Sequence, residues 1–294
     1  MDTQSLKAFV TVADTGSFSD AAETLHITQP AISKRISNLE QRLNHRLFDR
    51  IGRKVNLTEA GSALLPQARQ ILLSIGKAER SVRDLSGNVS GKLSMGISHH
   101  IGLHRLPPVL RYFTRAYPEV RLDIDFMDSE QAHSMILHGD LDLAVITLSP
   151  DQETNLESFL VWDDPLTVAV GLEHPLASQH SVSLEQLQNH TAIPPGLNTY
   201  TGQIIKRLFD DAGLKMDIAM STNYMETIKV MVGIGLGWSI LPTTLLDSSI
   251  KALTLKGHHL HRELGCVYHR NRSLSNAAQA FIDALRETAK ESGH

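Results

Sequence analysis

Residues 21–43, AAETLHITQPAISKRISNLEQRL, decide the fold of the N-terminal part of this 294-residue chain. Apolar residues in the second half of the segment are spaced four, three and four positions apart, which is the spacing of one helix face. These residues are Ile32, Ile36, Leu39 and Leu43. Thr28 can cap this helix, and Pro30 falls in its first turn, where a missing N–H is harmless. The segment therefore predicts a helix with one buried stripe and an exposed polar face.

Two shorter helices are predicted before this one. Apolar residues at helical spacing between Leu6 and Ala13 are followed by Gly16, and Ser17 or Ser19 can cap the next helix. A tight turn at 26–28 then leads into the polar face that carries Gln29, Pro30, Ser33 and Lys34. A short helix, a turn and a second helix with such a face suit the major groove of DNA. Gln29 can bond an adenine edge, Lys34 a guanine and Pro30 a thymine methyl, while Ser33 suits a base or a phosphate.

The charge of this region differs from that of the whole chain, whose net charge is −4. Residues 31–54 contain seven Lys and Arg residues against two acids, Glu40 and Asp49. A basic surplus in an acidic chain is typical of a surface that meets phosphates, although it also occurs on solvated helices. A β-prone stretch around Gly52 predicts a wing, with Arg53 near its tip and able to enter a minor groove.

The N-terminal sixty residues resemble the winged helix-turn-helix of LysR-type transcriptional regulators. The resemblance rests on residues 21–40, on Leu47-Phe48-Asp49-Arg50 and on Leu57-Thr58-Glu59-Ala60-Gly61. It implies that Gln29, Pro30, Ser33 and Lys34 face the major groove and that Arg53 serves the minor groove. Thr28, at the helix cap, completes the set of predicted DNA-contacting residues. We expect a DNA-binding domain at residues 1–58.

A long helix is predicted to follow, giving a linker at residues 59–88. Apolar residues at 64, 68, 71, 75, 78, 82 and 85 alternate by four and three, which indicates a seam for a second helix. Packing on the helix's own domain is the alternative, and Pro66 is expected to kink the helix near its start. The resemblance implies a dimer through this helix, a tetramer as a dimer of dimers, a pseudo-palindromic double-stranded DNA site and RNA polymerase as a partner.

From Gly91 onward, strands alternate with helices, which predicts an α/β domain with parallel strands. Predicted strands at 92–98, 120–126 and 141–146 enclose a helix at about 103–115 and another that ends near Gly139. A second unit of this kind, with strands at 166–170, 218–220 and 238–241, is predicted next, and a last helix at 275–290. The runs at 137–144 (Leu137, Gly139 and Leu141-Asp142-Leu143-Ala144) and at 233–242 (Gly233-Ile234-Gly235-Leu236-Gly237 and Leu241-Pro242) resemble LysR-type effector domains. The resemblance covers the domain, residues 89–294, and implies a fold similar to periplasmic binding proteins. The expected lobes of the domain are 89–161 with 267–294, and 162–266.

A ligand cleft is expected between the two lobes, beyond the carboxyl ends of the strands. Ser98, His99 and His100 follow the first strand, and Thr147 follows the third. A Pro/Gly-rich loop delivers Asn198, Thr199, Tyr200 and Thr201 to the start of a helix. Hydroxyls and helix amides favour a small carboxylate or an inorganic oxyanion. No arginine is placed at Thr147 or in 198–201 to clamp a carboxylate, so a neutral or weakly held effector stays open.

Other patterns are given ordinary interpretations. Gly233, Gly235 and Gly237 lie between a helix and a strand, the wrong order for a dinucleotide loop. The histidines at 258–261 are expected on an exposed edge, and no metal site or cofactor is assigned. Cys266 is expected to be a small buried hydrophobe. One cysteine, no secretion signal and no long apolar run predict a cytoplasmic protein without a membrane partner.

The sequence thus predicts a transcription regulator and no enzyme, since it contains no nucleophile elbow or paired acid/base motif. Three other classes stay open at this stage. A solute-binding protein of a transport system would share the two-lobed domain. An architectural DNA-binding protein would lack a ligand, and an enzyme acting on a small anion would show turnover.

Overall fold

The computed structural model describes residues 2–51, 54–84, 87–150 and 153–291. The chain divides into two compact units, residues 1–85 and 86–294. No helix in the described ranges combines the length and the apolar character needed to cross a bilayer. The domain limits predicted at 58/59 and 88/89, and the lobe limits, stay predictions.

The first unit consists of three helices, a β-hairpin and a long helix. Its elements are α1 (Thr3–Thr15), α2 (Phe18–Thr24), α3 (Gln29–Leu43), β1 (Phe48–Ile51), β2 (Lys54–Leu57) and α4 (Glu59–Asp84). Gly16 ends α1 in a left-handed conformation with φ of 64°, which suits a residue without a Cβ. Ser17, and not Ser19, caps α2 by accepting the N–H of Asp20. Thr28 is the N-cap residue of α3, although its side chain makes no capping hydrogen bond.

The predicted apolar stripe of α3 forms the centre of the first unit. Ile32, Ile36 and Leu39 are at most 1% exposed, and Leu43 is half-buried. They belong to one core with Phe9 of α1 and with further residues of α2 and the hairpin. Burial of an aliphatic side chain contributes about 1.5–3 kcal/mol. This face of α3 is therefore held inside, and its polar face is left outside.

The hairpin of β1 and β2 forms the predicted wing. Its strands are antiparallel, with Phe48 opposite Leu57. Glu40 of α3 ties the wing to the helix because its carboxylate accepts the N–H of Leu47 at 2.7 Å. Arg53, the predicted minor-groove residue, lies outside the described residues.

The long helix α4 continues through Pro66. Ala68 is fully buried in the core of the first unit, where Leu64, Leu65 and Leu72 also pack. The first turns of α4 therefore pack on their own unit, which is the alternative that the sequence left open beside pairing with a second helix. Ile71 is 36% exposed, and Leu85 lies outside the described residues. Pairing of α4 with a second subunit stays a prediction.

The second unit is a mixed α/β domain. Its elements are β3 (Gly91–Ile97), α5 (His99–His104), α6 (Pro107–Ala116), β4 (Val120–Phe126), α7 (Ser129–His138), β5 (Leu143–Thr147), β6 (Leu156–Gly171), β7 (Ser181–Val182), α8 (Leu184–Gln188), α9 (Tyr200–Asp211), α10 (Met225–Gly233), β8 (Ser239–Pro242), β9 (Ile250–Leu255), β10 (Leu260–His269) and α11 (Asn276–Glu291). The strands are ordered β4-β3-β5-β10-β6-β9-β7, and β8 also pairs with β6.

Lobe I contains the predicted parallel strands, since β3 pairs in parallel with both β4 and β5. The helix predicted at 103–115 is instead two helices, α5 and α6. A proline has no N–H to donate to the preceding helical turn and is well suited to the first helical position. Pro107 therefore separates the two helices and begins the second. Lobe I has its own apolar core, around Phe113 and Phe281.

The two lobes share the long strands β6 and β10, which run antiparallel from Leu260 opposite Leu166 to His269 opposite Leu156. Lobe II, around Val168 and Trp238, has a separate core. Its strands β8 and β9 are antiparallel to β6, so the second unit is not the simple parallel repeat that the sequence predicts. The strand predicted at 218–220 is only a bridge between Ile218 and Ala192.

Candidate functional site

The polar face of α3 is open in the first unit. Thr28, Gln29, Pro30 and Lys34 are exposed, and Ser33 is partly exposed. The Gln29 amide donates to the Ser33 hydroxyl at 3.0 Å. Five of the six residues predicted to contact DNA therefore cluster at the start of one helix, on the side opposite its buried stripe.

A cavity lies in the second unit where several strands and helices end. Most of the predicted ligand residues line it, namely Ser98, His99, His100, Thr147, Thr199, Tyr200 and Thr201. Asn198 is exposed and is not among its lining residues. The cavity volume is about 40 Å³, which is room for a few water molecules or one small oxyanion.

Local structure explains why these residues meet. Ser98 follows β3 and Thr147 ends β5, two neighbouring parallel strands whose carboxyl ends share one edge. On the other side, Thr199 is the N-cap residue of α9, and its hydroxyl accepts the N–H of Gly202 at 3.0 Å. The hydroxyl donates in turn to the Gly196 carbonyl at 2.7 Å. The loop before α9 is thereby fixed against the cavity.

Arg262 is a site residue that the sequence analysis missed. It lies on β10, is 4% exposed and lines the cavity. Its Nε donates to Asp164 Oδ2 at 2.9 Å, and its Nη1 donates to the Thr201 hydroxyl at 3.0 Å. Its buried Nη2 makes no hydrogen bond within the described part of the chain. One N–H-bearing nitrogen of a buried guanidinium is thus left for a ligand.

Arg262 shares its buried carboxylate partner with a second arginine. Asp164 is fully buried and also accepts a hydrogen bond from Arg105 Nη2 at 2.9 Å, so two guanidinium groups share one carboxylate. Burial is the main cause that lowers the pKa of Arg262, but an arginine keeps its proton in proteins. This arrangement supplies the cation that residues 198–201 lack.

Two acids face the same cavity from α7 and the residue before it. Glu130 accepts the N–H of Tyr200 at the start of α9, and burial raises the pKa of Glu130. Asp128 accepts a hydrogen bond from the Asn223 amide at 2.7 Å. An anion in the cavity would therefore lie near a carboxyl group that gains a proton more readily than usual.

Three side chains beside the cavity have the chemistry of metal ligands. Nitrogen and oxygen atoms of His100, His104 and Glu226 all lie within 4.8 Å of one another. Burial is the main cause that lowers the pKa of His100. The His100 imidazole, and less strongly that of His104, lowers the pKa of Glu226 to about 2. At neutral pH this cluster offers a neutral imidazole on His100 and an ionised carboxylate.

The candidate residues that the sequence did not reveal, Arg262, His104 and Glu226, share one physical feature. Their contacts depend on partners that are distant in the chain. Arg262 is 98 residues from Asp164, and His104 is 122 residues from Glu226. A local signal existed for Arg262. It alternates with Leu260, Leu264 and Cys266, a period of two that places an arginine on the apolar face of a strand.

The histidines at 258–261 are exposed, as predicted, but the prediction that they lie on an edge strand is wrong. β10 lies between β5 and β6 in the sheet. His258 and His259 precede the strand and are exposed, whereas His261 pairs with Asp163 at 3.0 Å. Cys266 is buried in the core of lobe I, and burial raises the pKa of its thiol.

Comparison with known proteins covers both units. The family model described as "Bacterial regulatory helix-turn-helix protein, lysR family" matches residues 3–62. The model described as "LysR substrate binding domain" matches residues 86–290. The transcriptional activator CmpR of Synechocystis sp. is 30% identical over 285 residues, covering 95% of this chain and 93% of CmpR.

Solved structures with the same fold include two full-length proteins. Full-length OxyR from Pseudomonas aeruginosa, solved as a single-residue variant, is 25% identical with a TM-score of 0.72, covering 99% of this chain and 95% of that one. Full-length CbnR in complex with its target DNA is 23% identical with a TM-score of 0.67, covering 98% of this chain and all of that one.

Proposed function

Because the chain belongs to the LysR family of bacterial transcriptional regulators, we propose that the start of α3 binds base edges and that a small anion in the cavity of the second unit controls this binding. The protein is a DNA-binding regulator with an effector-binding domain, and like the curated relatives it is not an enzyme. The residues that contact DNA and the class of effector are the parts proposed here.

The exposed start of α3 carries the proposal for DNA. Gln29 and Ser33 are accessible, while the opposite side of the helix is fixed in the core. We assign Gln29 to an adenine edge, Lys34 to guanine acceptors, and Pro30 to a thymine methyl. Thr28 and Ser33 suit phosphate or base contacts, and Arg53 is assigned to the minor groove on the family resemblance alone.

Selection from random double-stranded DNA tests this proposal. The full-length protein is incubated with a random-sequence library, and the bound fraction is sequenced after several rounds. We expect a pseudo-palindromic consensus with two half-sites, because LysR-type heads act in pairs and a two-fold arrangement requires two-fold DNA symmetry. Recovery of DNA without a shared motif would overturn the assignment of α3 as a sequence-specific element.

The free Nη2 of Arg262 supports an anionic effector. Arg262 lines the cavity together with Thr147, Thr199 and Thr201, and the twelve-residue helix α9 begins at the same place. A guanidinium group beside hydroxyl groups favours a carboxylate or an oxyanion. The cavity volume of about 40 Å³ favours a ligand of a few non-hydrogen atoms.

Thermal unfolding in the presence of inorganic oxyanions and small carboxylates tests the class of effector. An anion that binds the folded protein raises the unfolding temperature, whereas neutral and cationic analogues are not expected to do so. Ser98→Leu should abolish this rise while DNA affinity without effector is unchanged, because Ser98 borders the cavity of the second unit and α3 belongs to the first unit. Stabilisation by a cationic analogue, or equal loss of both activities, would contradict the proposal.

The remaining partners follow from the family and from the sequence. We propose a dimer through α4, two dimers per tetramer, contact with RNA polymerase, and a cytoplasmic location where the chromosome is accessible. Light scattering of the purified full-length protein would measure the mass of the assembly. A monomer at micromolar concentration would contradict the paired arrangement.

A further inference from the structure

The cluster of His100, His104 and Glu226 joins the two lobes beside the cavity. His100 and His104 lie four residues apart on α5 of lobe I, and Glu226 lies on α10 of lobe II. His104 Nε2 is 2.9 Å from Glu226 Oε1, and His100 Nδ1 is 3.5 Å from the same oxygen. The two imidazole rings are 4.9 Å apart.

These distances are those of a ligand set close to its bound form. A zinc ion with bonds of about 2.0–2.1 Å in a tetrahedral arrangement separates its ligand atoms by about 3.3 Å. The two distances to Glu226 Oε1, 2.9 Å and 3.5 Å, lie on either side of that value. All three donor atoms lie within 4.8 Å of one another, so shifts of these side chains are needed to bring the two nitrogens and the oxygen around one ion.

The buried Nδ1 of His100 points to a missing ligand. The His100 side chain is 5% exposed, and its Nδ1 makes no hydrogen bond among the described residues. Its nearest charged neighbour, Glu226 Oε1 at 3.5 Å, is at ion-pair distance without forming a hydrogen bond, and a buried nitrogen without a hydrogen bond is costly. The other ring nitrogen, Nε2, is 3.3 Å from the Thr244 hydroxyl and 3.9 Å from Asp164 Oδ2. Metal-binding histidines commonly have such a partner on the second nitrogen.

We propose that His100, His104 and Glu226 bind a divalent transition metal ion that fastens α5 of lobe I to α10 of lobe II. Two imidazoles and a carboxylate favour Zn²⁺, Co²⁺ or Ni²⁺ over Mg²⁺ or Ca²⁺, which prefer all-oxygen ligands. Three protein ligands leave a coordination position for water or for a donor atom of a bound effector. The ion would thereby add a contact between the lobes at the edge of the cavity.

The charges nearby permit such an ion. Arg105 and Arg262 oppose a cation, but both are hydrogen-bonded to the buried carboxylate of Asp164. Glu226 contributes a second carboxylate that faces the histidines directly. The site thus has its own negative ligand and does not depend on Asp164 for charge.

Titration of tag-free, full-length protein with Co²⁺ and Zn²⁺ tests the proposal. The visible absorption of Co²⁺ reports the coordination geometry, and calorimetry with Zn²⁺ gives stoichiometry and affinity. We compare His104→Gln and Glu226→Gln, which remove a ligand at partly exposed positions, with His259→Gln as the control. His259 is an exposed histidine in the histidine-rich segment 258–261. Tryptophan fluorescence verifies that each variant is folded.

We expect one ion per chain in the wild type and a tetrahedral Co²⁺ spectrum. Loss of a direct ligand should weaken binding by at least the roughly 10- to 100-fold that loss of an outer-shell partner costs. The His259→Gln protein should bind the metal ion as tightly as the wild type does. Zn²⁺ should raise the unfolding temperature of the wild type and of His259→Gln, but not that of His104→Gln or Glu226→Gln. The proposal is overturned if the wild type binds no ion, or if its affinity equals that of folded Glu226→Gln.

Discussion

Replacement of Arg262 by methionine tests the description of the cavity most severely. Methionine keeps much of the length of the side chain but removes the guanidinium. The change deletes hydrogen bonds to Asp164 and Thr201 and leaves a fully buried carboxylate with Arg105 alone. Removal of one partner from a buried ion pair costs about 3–5 kcal/mol. Because Arg105 still neutralises Asp164, we expect the lower end, about 3 kcal/mol.

Urea unfolding followed by tryptophan fluorescence measures this loss of unfolding free energy in the second unit, to which Arg262 belongs. Both tryptophans of the chain, Trp162 and Trp238, lie in the second unit. Arg270→Met is the matched control, since Arg270 pairs with Glu157 at 2.6 Å but is 53% exposed. Such exposed pairs contribute about 0–1 kcal/mol. If Arg262→Met lowers the free energy of unfolding no more than Arg270→Met does, the buried network that we describe is wrong.

Three further outcomes follow from the same structure. Burial raises the pKa of Glu130, so a fall in pH through that raised value removes a negative charge beside the cavity. Anion binding measured by calorimetry should therefore tighten as the pH falls, and the pH dependence should be flatter for Glu130→Gln. A Glu130→Gln protein with the pH dependence of the wild type would count against the site. Cys266, whose thiol is buried with a raised pKa, should react with an aromatic disulfide reagent only after unfolding, and rapid reaction of the native protein would contradict its placement. In Gly202→Ala the new Cβ would lie 2.0 Å from the Gly196 carbonyl oxygen; we expect a loss of about 1–3 kcal/mol in urea unfolding, and an unaltered midpoint would show that the loop adjusts freely.

Features with a local physical cause could be predicted from the sequence. The stripe of Ile32, Ile36 and Leu39 follows from helical spacing alone, and all three are buried. The parallel strands of lobe I are continuous apolar runs between turn signals, so their positions were close to those observed. The cavity residues at the ends of β3 and β5 could be located because carboxyl ends of parallel strands share one edge.

Features that depend on distant pairing could not be predicted. Arg262 resembles any surface arginine until β10 is placed between β5 and β6, where Asp164 on the neighbouring strand accepts its hydrogen bond. The absence of an arginine from 198–201 therefore carried no information on a cation supplied by β10. Similarly, His104 and Glu226 meet only because two lobes close around shared strands. Local propensity carries no information on such contacts.

The central claim is that the exposed start of α3 contacts the base edges of DNA. The ratio of the protein's affinities for the selected DNA site and for a scrambled DNA site tests this claim directly. Gln29→Ala is compared with Gln41→Ala, which removes another exposed glutamine near the opposite end of the same helix. We expect Gln29→Ala to lower the ratio by a factor that corresponds to about 1–3 kcal/mol of binding free energy per lost bidentate contact. Gln41→Ala should keep the wild-type ratio. Full discrimination by Gln29→Ala, or an equal loss in Gln41→Ala, would contradict the claim.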